Sequence, residues 1–574
     1  MIKLLYRILF LFAGIAAGVC ITEISLRLLY GDPANKLKQN SAAYSFLEPY
    51  KNYFVKFKNT SGQYLYRSQR SATVDEMFSE KKPEKTRRVF IVGESTAYNF
   101  GLSKNLFLGR LNELMPGLTF EVINCGTRGY DSQRILPIVR ELVNYSPDLI
   151  VLFLGNNEMY GSVSYDPWLS GAFGRTIYER SWTGRILHDT FKNRFVIEKG
   201  IEDNNEEFKE NLSGIIECIE KRNIPAALCT LPENYRDAPP FHMRTEQDPP
   251  YFMKEFFMGV ASLDKGHERG GVTNLLRLAG DPDFRKNPYL SYTLARSLEK
   301  AGDVSGARKY YLQSLELDAD CGGYRCPPSR NEIIRQKEGK SRKLVIVDLD
   351  KAFSRISPAG LSGDESFIDN CHWWLSYNDL VAYEVIRAIH DHNDKYGESI
   401  LSANNSWRSK LKKPDMKKIF NETNKEIGQN CLSWRAFAIE RSIRLKGRLI
   451  DNSIYLFKRV YRYNPELLGA VYSMEHNEGS EILRAYCAGD LVDKLDETWY
   501  SALCHAGEAY REAGDYTDAI RFFDRSIKLK EDQVYAYLFR GLIYYRRGEN
   551  NKAREDWGNV IKRDGRFYWL KDML

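Results

Sequence analysis

The chain has 574 residues, enough for about three or four domains of ordinary size. With 43% hydrophobic and 28% charged residues, the composition excludes a disordered chain. The net charge of +7, from 83 basic and 76 acidic side chains, is too mild to indicate a nucleic-acid partner.

Ten cysteines are scattered along the chain without a Cys-x-x-Cys pair or a zinc-like Cys/His spacing. We therefore predict no bound metal and no cofactor. Cys321 and Cys326 flank a Gly-rich segment, where a disulfide is possible, whereas ordinary buried thiols are the preferred interpretation of the others.

The amino-terminal stretch 4–22 is apolar apart from Arg7, and such a stretch can span a bilayer as a helix. A cleaved signal peptide is the alternative. Val19 makes the Ala-Gly-Val-Cys segment a poor lipoprotein cleavage site, and no Ala-x-Ala site follows. We therefore predict an uncleaved, single-pass transmembrane anchor within residues 1–30. Its orientation stays open, because the basic residues on its two sides nearly balance.

Residues 31–86 are polar, studded with aromatic side chains and poorly periodic. We interpret them as a juxtamembrane segment. Its end is a charge run over residues 80–88, which predicts a solvated linker.

From Arg88 onward, short apolar runs alternate with helical patterns. This alternation predicts an α/β domain over residues 87–395, in which a parallel sheet lies between two layers of helices. The predicted strands are Arg88–Val92, Glu121–Asn124, Leu149–Leu154, Ala226–Thr230 and Leu344–Asp348. The predicted helices include 106–114, 132–144 and 208–219. A helical insertion at about 255–335 interrupts the domain, and residues 288–318 within it follow the pattern of a tetratricopeptide repeat.

The carboxyl-terminal region, 410–574, is helical and repetitive. Gly507, Tyr510, Ala519 and Phe523 recur 34 residues later as Gly541, Tyr544, Ala553 and Trp557. Thirty-four residues is the period of the tetratricopeptide repeat, so we predict a short all-α solenoid. Residues 434–465 are interpreted as a degenerate copy. Repeats of this kind predict a protein partner without identifying it.

Four polar motifs follow the predicted strands in order: Gly93–Ser95, Asn124–Gly129, Gly155–Glu158 and Asp369–His372. Their chemistry is mutually consistent. His372 can accept the Ser95 proton near neutral pH, and Asp369 can hold the other imidazole nitrogen. The Ser95 N–H, the Gly129 N–H and the Asn157 amide can stabilise an oxyanion. Ser95 as a simple helix cap, and Asn157 as a residue that stabilises its own turn, are the alternatives.

These motifs together resemble the SGNH (GDSL-type) hydrolase superfamily, over roughly residues 86–395. The resemblance implies a flavodoxin-like fold and ester chemistry, with Ser95 as nucleophile, Asp369 and His372 as the acid–base pair, and Gly129 and Asn157 in the oxyanion hole. The segments Gly-Glu-Ser-Thr-Ala, Gly-Asn-Asn-Glu and Leu-Pro-Glu-Asn-Tyr-Arg-Asp, with the repeats, look like a bacterial group that combines such a domain with tetratricopeptide repeats.

The sequence departs from the family pattern where Glu94 and Glu158 stand in place of aspartates. Both changes retain a carboxylate and lengthen it by one methylene, so they bear on loop geometry and substrate. Arg128, within the second motif, is a possible contact for an anionic substrate group or a plain surface arginine.

We therefore expect a membrane-anchored esterase that faces the periplasm or the cell exterior. Its expected substrate is an O-acyl ester, and an O-acetylated polysaccharide or another envelope glycan is preferred. An O-acyltransferase that uses the same residues is one alternative. The other is a tetratricopeptide scaffold protein that carries a hydrolase-like domain.

Overall fold

The computed structural model describes residues 18–30, 32–33, 51–69, 73–158, 176–178, 180–186, 201–238, 240, 254–259, 268–282, 284–320, 325–402, 410–426, 504, 507, 511 and 515–573. Two compact units are formed. Unit 1 comprises Met1–Leu231, Ser329–Leu349 and Asn378–Lys413, and unit 2 comprises Pro232–Pro328, Asp350–Tyr377 and Pro414–Leu574.

The core of unit 1 is a parallel sheet of the strands β4 (Thr86–Gly93), β5 (Thr119–Gly126), β6 (Leu149–Phe153), β7 (Ala226–Cys229) and β8 (Leu344–Val347). The order of these five strands across the sheet is β5-β4-β6-β7-β8. Strands β6 and β7 are buried along their whole length, as apolar strands covered on both faces must be. All five predicted strands are confirmed. The order corresponds to 2-1-3-4-5 among the parallel strands, which is the flavodoxin-like arrangement that the resemblance implies.

Helices follow the strands of this sheet. The bounds in unit 1 are Ser95–Leu102, Lys104–Leu114, Ser132–Leu142, Ile201–Lys221, Pro328–Arg335 and Asn378–Tyr396, and the helix Leu349–Ile356 starts at the end of the unit. Helix Ser132–Leu142 begins at Asp131, whose side chain accepts a hydrogen bond from the Arg134 N–H. Its apolar stripe packs with that of Ile201–Lys221 in the sheet's main core cluster.

A second, antiparallel sheet stands where the sequence predicted only a juxtamembrane segment. It consists of β1 (Phe54–Lys58), β2 (Tyr64–Ser68) and β3 (Met77–Ser79). Phe54 and Phe78 are buried in the same core cluster as the parallel sheet, so this part of the segment belongs to the folded unit. The charge run over residues 80–88, predicted as a solvated linker, ends in the interior of the folded unit. Arg88 is fully buried and donates hydrogen bonds to Glu121, to the Tyr145 carbonyl and to the Ser79 carbonyl.

The predicted anchor is described only in part. Residues 18–30 are helical, and residues 4–17 lie outside the described part of the chain. Within the part that is described, no helix has both the length and the apolar character needed to cross a bilayer.

Unit 2 contains two groups of helix hairpins. The bounds are Glu268–Gly280, Pro288–Lys300 and Val304–Asp320 in the first group, and Tyr516–Leu529, Tyr535–Arg546 and Asn550–Arg563 in the second, which the 3₁₀ segment Gly565–Met573 follows. Short 3₁₀ turns elsewhere in the chain are Pro358–Gly360, Leu375–Tyr377 and Ile400–Ser402.

The small and large positions of the repeat pack against each other as its pattern predicts. A Cβ atom added to Gly541 would lie 2.5 Å from Nε1 of the buried Trp557, and one added to Gly507 would lie 2.7 Å from Phe523. Only glycine allows these helices to approach so closely. The degenerate copy at 434–465 lies outside the described residues. Cys326 is a free, buried thiol, and Cys321 also lies outside the described residues.

Candidate active site

The carboxyl ends of β4 and β6 form the point where the chain order of the sheet reverses. The chain leaves β4 toward β5 on one side and leaves β6 toward β7 on the other. Ligands of open α/β sheets bind at such a switch point, because the two loops diverge and leave a crevice. Ser95 follows β4 directly, Gly129 lies in the loop after β5, and Asn157 lies in the loop after β6. Three sequence-predicted residues therefore belong to one edge of the sheet.

Ser95 is the first residue of helix Ser95–Leu102 and is partly exposed. The residue that precedes the helix as its cap is Glu94, whose side chain makes no capping hydrogen bond. The structure thus does not use Ser95 as the helix cap. The Ser95 N–H is one of the first four of the helix, which have no carbonyl partner inside the helix, so it can serve as an oxyanion donor.

Gly93 permits the tight passage from strand to helix. Its φ angle is +147°, and an added Cβ atom would lie 2.0 Å from the carbonyl oxygen of Phe153 on the neighbouring strand β6. Any side chain here would force the ends of β4 and β6 apart. The glycine therefore sets the spacing between the loop that carries Ser95 and the loop that carries Asn157.

The Glu94 carboxylate joins the first motif to the third. The side chain is 1% exposed, and its two oxygens accept hydrogen bonds from the backbone N–H groups of Asn156, at 2.8 Å, and Asn157, at 3.0 Å. A carboxylate that accepts two buried N–H groups holds the loop firmly, since each such bond involves an ionised acceptor. The sequence analysis linked Glu94 to loop geometry only in general, and these two contacts identify the loop that it holds.

Asn157 is held in place from a second direction. Its side-chain amide donates to the carbonyl oxygen of Tyr130 at 3.1 Å, so the residue bonds the second motif's loop rather than its own turn. An amide group has two N–H donors, and one remains for an oxyanion. In the same loop Gly129 is partly exposed with a φ angle of +74°, and the Thr127 N–H donates to the Gly93 carbonyl at 2.8 Å. Hydrogen bonds therefore connect the loops that carry Ser95, Gly129 and Asn157.

Glu158, the second substituted position, is buried behind this edge. Its carboxylate accepts hydrogen bonds from the Ser132 hydroxyl at 2.6 Å and from the Ser132 N–H at 3.1 Å. Burial, and after it the neighbouring Asp131, raise the pKa of Glu158 to about 7, although Arg330 and the hydrogen bonds from Ser132 oppose the rise. Glu158 therefore binds the first residue of helix Ser132–Leu142 and so fixes the end of the loop that contains the second motif.

Arg128 is exposed at the rim of the second motif, with its guanidinium 5.0 Å from the centre of the Tyr98 ring. Tyr98 lies one helical turn after Ser95, so this stack stands beside the serine. The structure thus places Arg128 at the surface, next to the predicted oxyanion loop.

Asp369 and His372 lie in unit 2, where they form a hydrogen-bonded pair. His372 Nδ1 and Asp369 Oδ2 are 2.7 Å apart, and Asp369 Oδ1 accepts the backbone N–H groups of Cys371 and His372. Burial opposes the charged forms of both side chains, but their mutual attraction and hydrogen bonding outweigh it. The pKa of His372 is consequently raised, and the pKa of Asp369 is lowered. This is the arrangement that fixes an imidazole tautomer and keeps Nε2 basic.

A short hairpin-like loop presents the pair. Phe367 and Trp373 form an isolated antiparallel bridge, and the Ile368 N–H donates to the His372 carbonyl at 2.7 Å. Asp369, Cys371 and His372 also form a group whose possible ligand atoms lie within 4.8 Å of one another. Within this group His372 Nδ1 and Asp369 Oδ2 are hydrogen-bonded to each other.

The structure therefore brings the predicted residues together in two sets. Ser95, Gly129 and Asn157 belong to unit 1, and Asp369 and His372 belong to unit 2. The sequence analysis treated all five as parts of one domain, and the pairing of Ser95 with His372 stays a prediction.

Comparisons with known proteins identify the repeats. Residues 505–568 and 289–321 each match a family model described as tetratricopeptide repeat. The repeats predicted at 288–318 and over residues 507–557 are thereby confirmed, whereas the degenerate copy at 434–465 stays a prediction. No curated protein sequence matches the chain.

Two crystal structures illustrate what the fold is similar to. One is a GDSL-like lipase from Bacteroides thetaiotaomicron, with 12% identity over 55% of this chain and 92% of the other, and a TM-score of 0.25. The other is a candidate acylhydrolase from Bacteroides fragilis, with 12% identity over 55% of this chain and 89% of the other, and a TM-score of 0.22. The functional argument that follows rests on the side chains of this chain.

Proposed function

We propose that the protein is an SGNH-type serine esterase that forms an acyl-enzyme on Ser95. The observation that carries this proposal is the 2.7 Å contact between His372 Nδ1 and Asp369 Oδ2. This contact directs the other nitrogen, Nε2, to act as the base, and Asp369 raises the pKa of His372. The position of Ser95 at the helix start after β4 supports the proposal. The pairing of Ser95 with His372 rests on the order of the four motifs in the sequence.

In the proposed reaction, Ser95 Oγ bonds to the ester carbonyl carbon while its proton passes to His372 Nε2. Asp369 stays ionised and stabilises the imidazolium. The Ser95 N–H, the Gly129 N–H and the Asn157 amide donate to the tetrahedral oxyanion. Cleavage of the ester C–O bond releases the alcohol, which takes the proton from His372. Water then attacks the acyl-enzyme by the same route and releases the acid and the free serine.

The substrate and location belong to the same proposal. An O-acetyl ester of an envelope glycan is the proposed substrate, and residues 4–22 are the proposed membrane anchor of a domain that faces the periplasm or the cell exterior. The tetratricopeptide repeats at 289–321 and 505–568 support a protein partner. Membrane fractionation of the full-length chain, with and without residues 4–22, tests the anchor.

The catalytic proposal is tested with full-length protein, p-nitrophenyl acetate and an O-acetylated polysaccharide. We expect release of acetate and an acetylated Ser95 peptide by mass spectrometry after rapid acid quench. Ser95→Ala abolishes both, and Ser213→Ala, at an exposed position of helix Ile201–Lys221, leaves both unchanged. Acetate release that persists in Ser95→Ala contradicts the proposal. Acetyl transfer to a glycan hydroxyl in preference to water indicates the acyltransferase alternative.

A further inference from the structure

The Leu-Pro-Glu-Asn-Tyr-Arg-Asp motif contains polar side chains that are buried without belonging to the proposed catalytic set. Glu233 and Asn234 are both 0% exposed. Buried polar groups are retained when they are hydrogen-bonded, so their partners indicate what the motif does. Asn234 binds the loop that carries Asp369 and His372, whereas the Glu233 carboxylate binds Arg325 and the Cys326 N–H.

Asn234 makes most of these contacts. Its side-chain Nδ2 donates to the Asp369 carbonyl oxygen at 3.0 Å and to Asp364 Oδ1 at 2.9 Å. Its backbone N–H donates to the Asn370 carbonyl at 3.0 Å. Asn234 therefore binds the carbonyl groups of the consecutive residues Asp369 and Asn370. These residues begin the loop that carries Asp369 and His372, which we call the acid–base loop. Rotation of the Asp369 backbone, which would carry its carboxylate away from His372, breaks these hydrogen bonds.

A buried ion pair fixes Asn234 in turn. The Arg325 guanidinium faces the Glu233 carboxylate at 3.4 Å, and the two side chains are 3% and 0% exposed. Arg325 also donates to the Asn234 carbonyl at 2.5 Å, and Glu233 accepts the Cys326 N–H at 3.1 Å. Burial raises the pKa of Glu233 well above its usual value, and Arg325 and the Cys326 N–H oppose the rise. Because both side chains are paired and hydrogen-bonded, the segment has a defined place in the interior of unit 2.

The last two residues of the motif, Arg236 and Asp237, contact the segment that precedes the acid–base loop. The Asp364 N–H donates to the Asp237 carboxylate at 3.0 Å, and Arg236 contacts Glu365 at 2.5 Å. The Tyr292 hydroxyl, in the first repeat hairpin, donates to the Arg236 carbonyl at 3.0 Å. The motif therefore lies between the inserted repeat and the acid–base loop.

From these contacts we propose that Asn234 is a positioning residue that sets the orientation of Asp369 toward His372. Asn234 acts through the backbone of the loop and contacts no reacting atom. The rate consequence rests on the proposed function, whereas the effect on the Asp369–His372 pair does not.

The test uses the full-length chain with 13C-labelled histidines, so that the His372 Cε1 resonance can be titrated and assigned by its loss in His372→Gln. Asn234→Ala removes the two hydrogen bonds that Nδ2 donates and the one that Oδ1 accepts from the Asp237 N–H. The matched control is Asn287→Ala, which removes a helix cap in the same unit, where the Asn287 side chain accepts the Leu290 N–H. If Asn234→Ala does not fold, Asn234→Ser is used in its place, because it retains a polar group on a shorter side chain.

We expect the His372 pKa to fall toward 6.5 in the Asn234 variant and to stay at the wild-type value in Asn287→Ala. We also expect fluorophosphonate labelling of Ser95 to slow about tenfold to a hundredfold, since small misplacements of catalytic groups have effects of this size. An unchanged His372 pKa in folded Asn234→Ala overturns the proposal. A pKa that responds in a protein whose Ser95 is never labelled supports the positioning role and counts against the esterase.

Discussion

The Glu94 carboxylate offers a sharp test of how the oxyanion loop is held. Glu94→Gln retains the size of the side chain but replaces one acceptor oxygen by an N–H₂ group. Of the two backbone donors, from Asn156 and Asn157, only one can then be accepted. The other backbone N–H then faces the N–H₂ group of the glutamine, which is also a donor. Because Glu94 is only 1% exposed, water cannot replace the lost acceptor.

The magnitude follows from these two bonds. A hydrogen bond to a charged group contributes about 1.5–3 kcal/mol, and an unsatisfied buried donor costs about 1–3 kcal/mol. We expect Glu94→Gln to lower the free energy of unfolding by about 2–4 kcal/mol. Displacement of Asn157 removes one oxyanion donor, which corresponds to a loss of about 10²–10³ in acylation rate.

The assay pairs urea denaturation with the rate of p-nitrophenyl acetate hydrolysis. Glu94→Asp keeps the charge but is one methylene shorter, so we expect it to reach a single N–H and to fall between wild type and Glu94→Gln in both measurements. Glu113→Gln is the control, because Glu113 is an exposed residue of helix Lys104–Leu114. Wild-type stability and rate in Glu94→Gln refute the idea that this carboxylate holds the loop.

Three further predictions concern other parts of the chain. Gly93→Ala is expected to abolish activity and lower the yield of folded protein, because its Cβ would lie 2.0 Å from the Phe153 carbonyl; expression and circular dichroism check this. The pKa of Glu158 is raised from 4.5 to about 7 in the folded state, so the stability associated with its protonated form is present below pH 4.5 and lost as the pH rises through 7. Glu158→Gln should therefore gain stability relative to wild type by on the order of 3 kcal/mol between pH 4.5 and 7.5, measured by urea midpoints at both pH values; a constant difference contradicts the assignment. Gly541→Ala pushes a Cβ against Trp557, so we expect an earlier thermal transition of the carboxyl-terminal repeat by tryptophan fluorescence; the exposed helix change Gly558→Ala, which meets no neighbouring atom, does not lower the transition.

The parallel sheet could be predicted from the sequence because each of its strands contains an apolar run and these runs alternate with helical patterns. The antiparallel sheet of β1, β2 and β3 could not be predicted in the same way. In β1 only Phe54 is buried among exposed and half-buried residues such as Lys56, and in β3 only Phe78 is buried. The apolar residues of these strands, Phe54, Val55 and Phe57 in β1 and Met77 and Phe78 in β3, do not alternate regularly with polar ones, so they give no period-2 signal. The tertiary contacts of these phenylalanines, rather than a local pattern, define the strands.

The site residues also divide into those that the sequence indicated and those that only the folded structure shows. The motif order indicated Ser95 and His372, since each type carries its chemistry in its own side chain. The roles of Glu94 and Asn234 depend on distant partners: Glu94 binds residues 62 and 63 positions later, and Asn234 binds Asp364 and Asp369 across 130 and 135 positions. Such supporting contacts become visible only when the chain is folded, although the unusual motif around Asn234 marked the segment as distinctive.

The most direct test of the central claim is fluorophosphonate labelling of the full-length protein as a function of pH, with Ser95→Ala and His372→Ala beside wild type. We predict a labelled Ser95 in wild type, none in Ser95→Ala and a strongly reduced rate in His372→Ala. Because the pKa of His372 is raised above 6.5 and only its neutral form is a base, the labelling rate should increase with pH with a midpoint above 6.5. Labelling that persists in Ser95→Ala, or its absence from folded wild type, contradicts the assignment of Ser95 as an activated nucleophile.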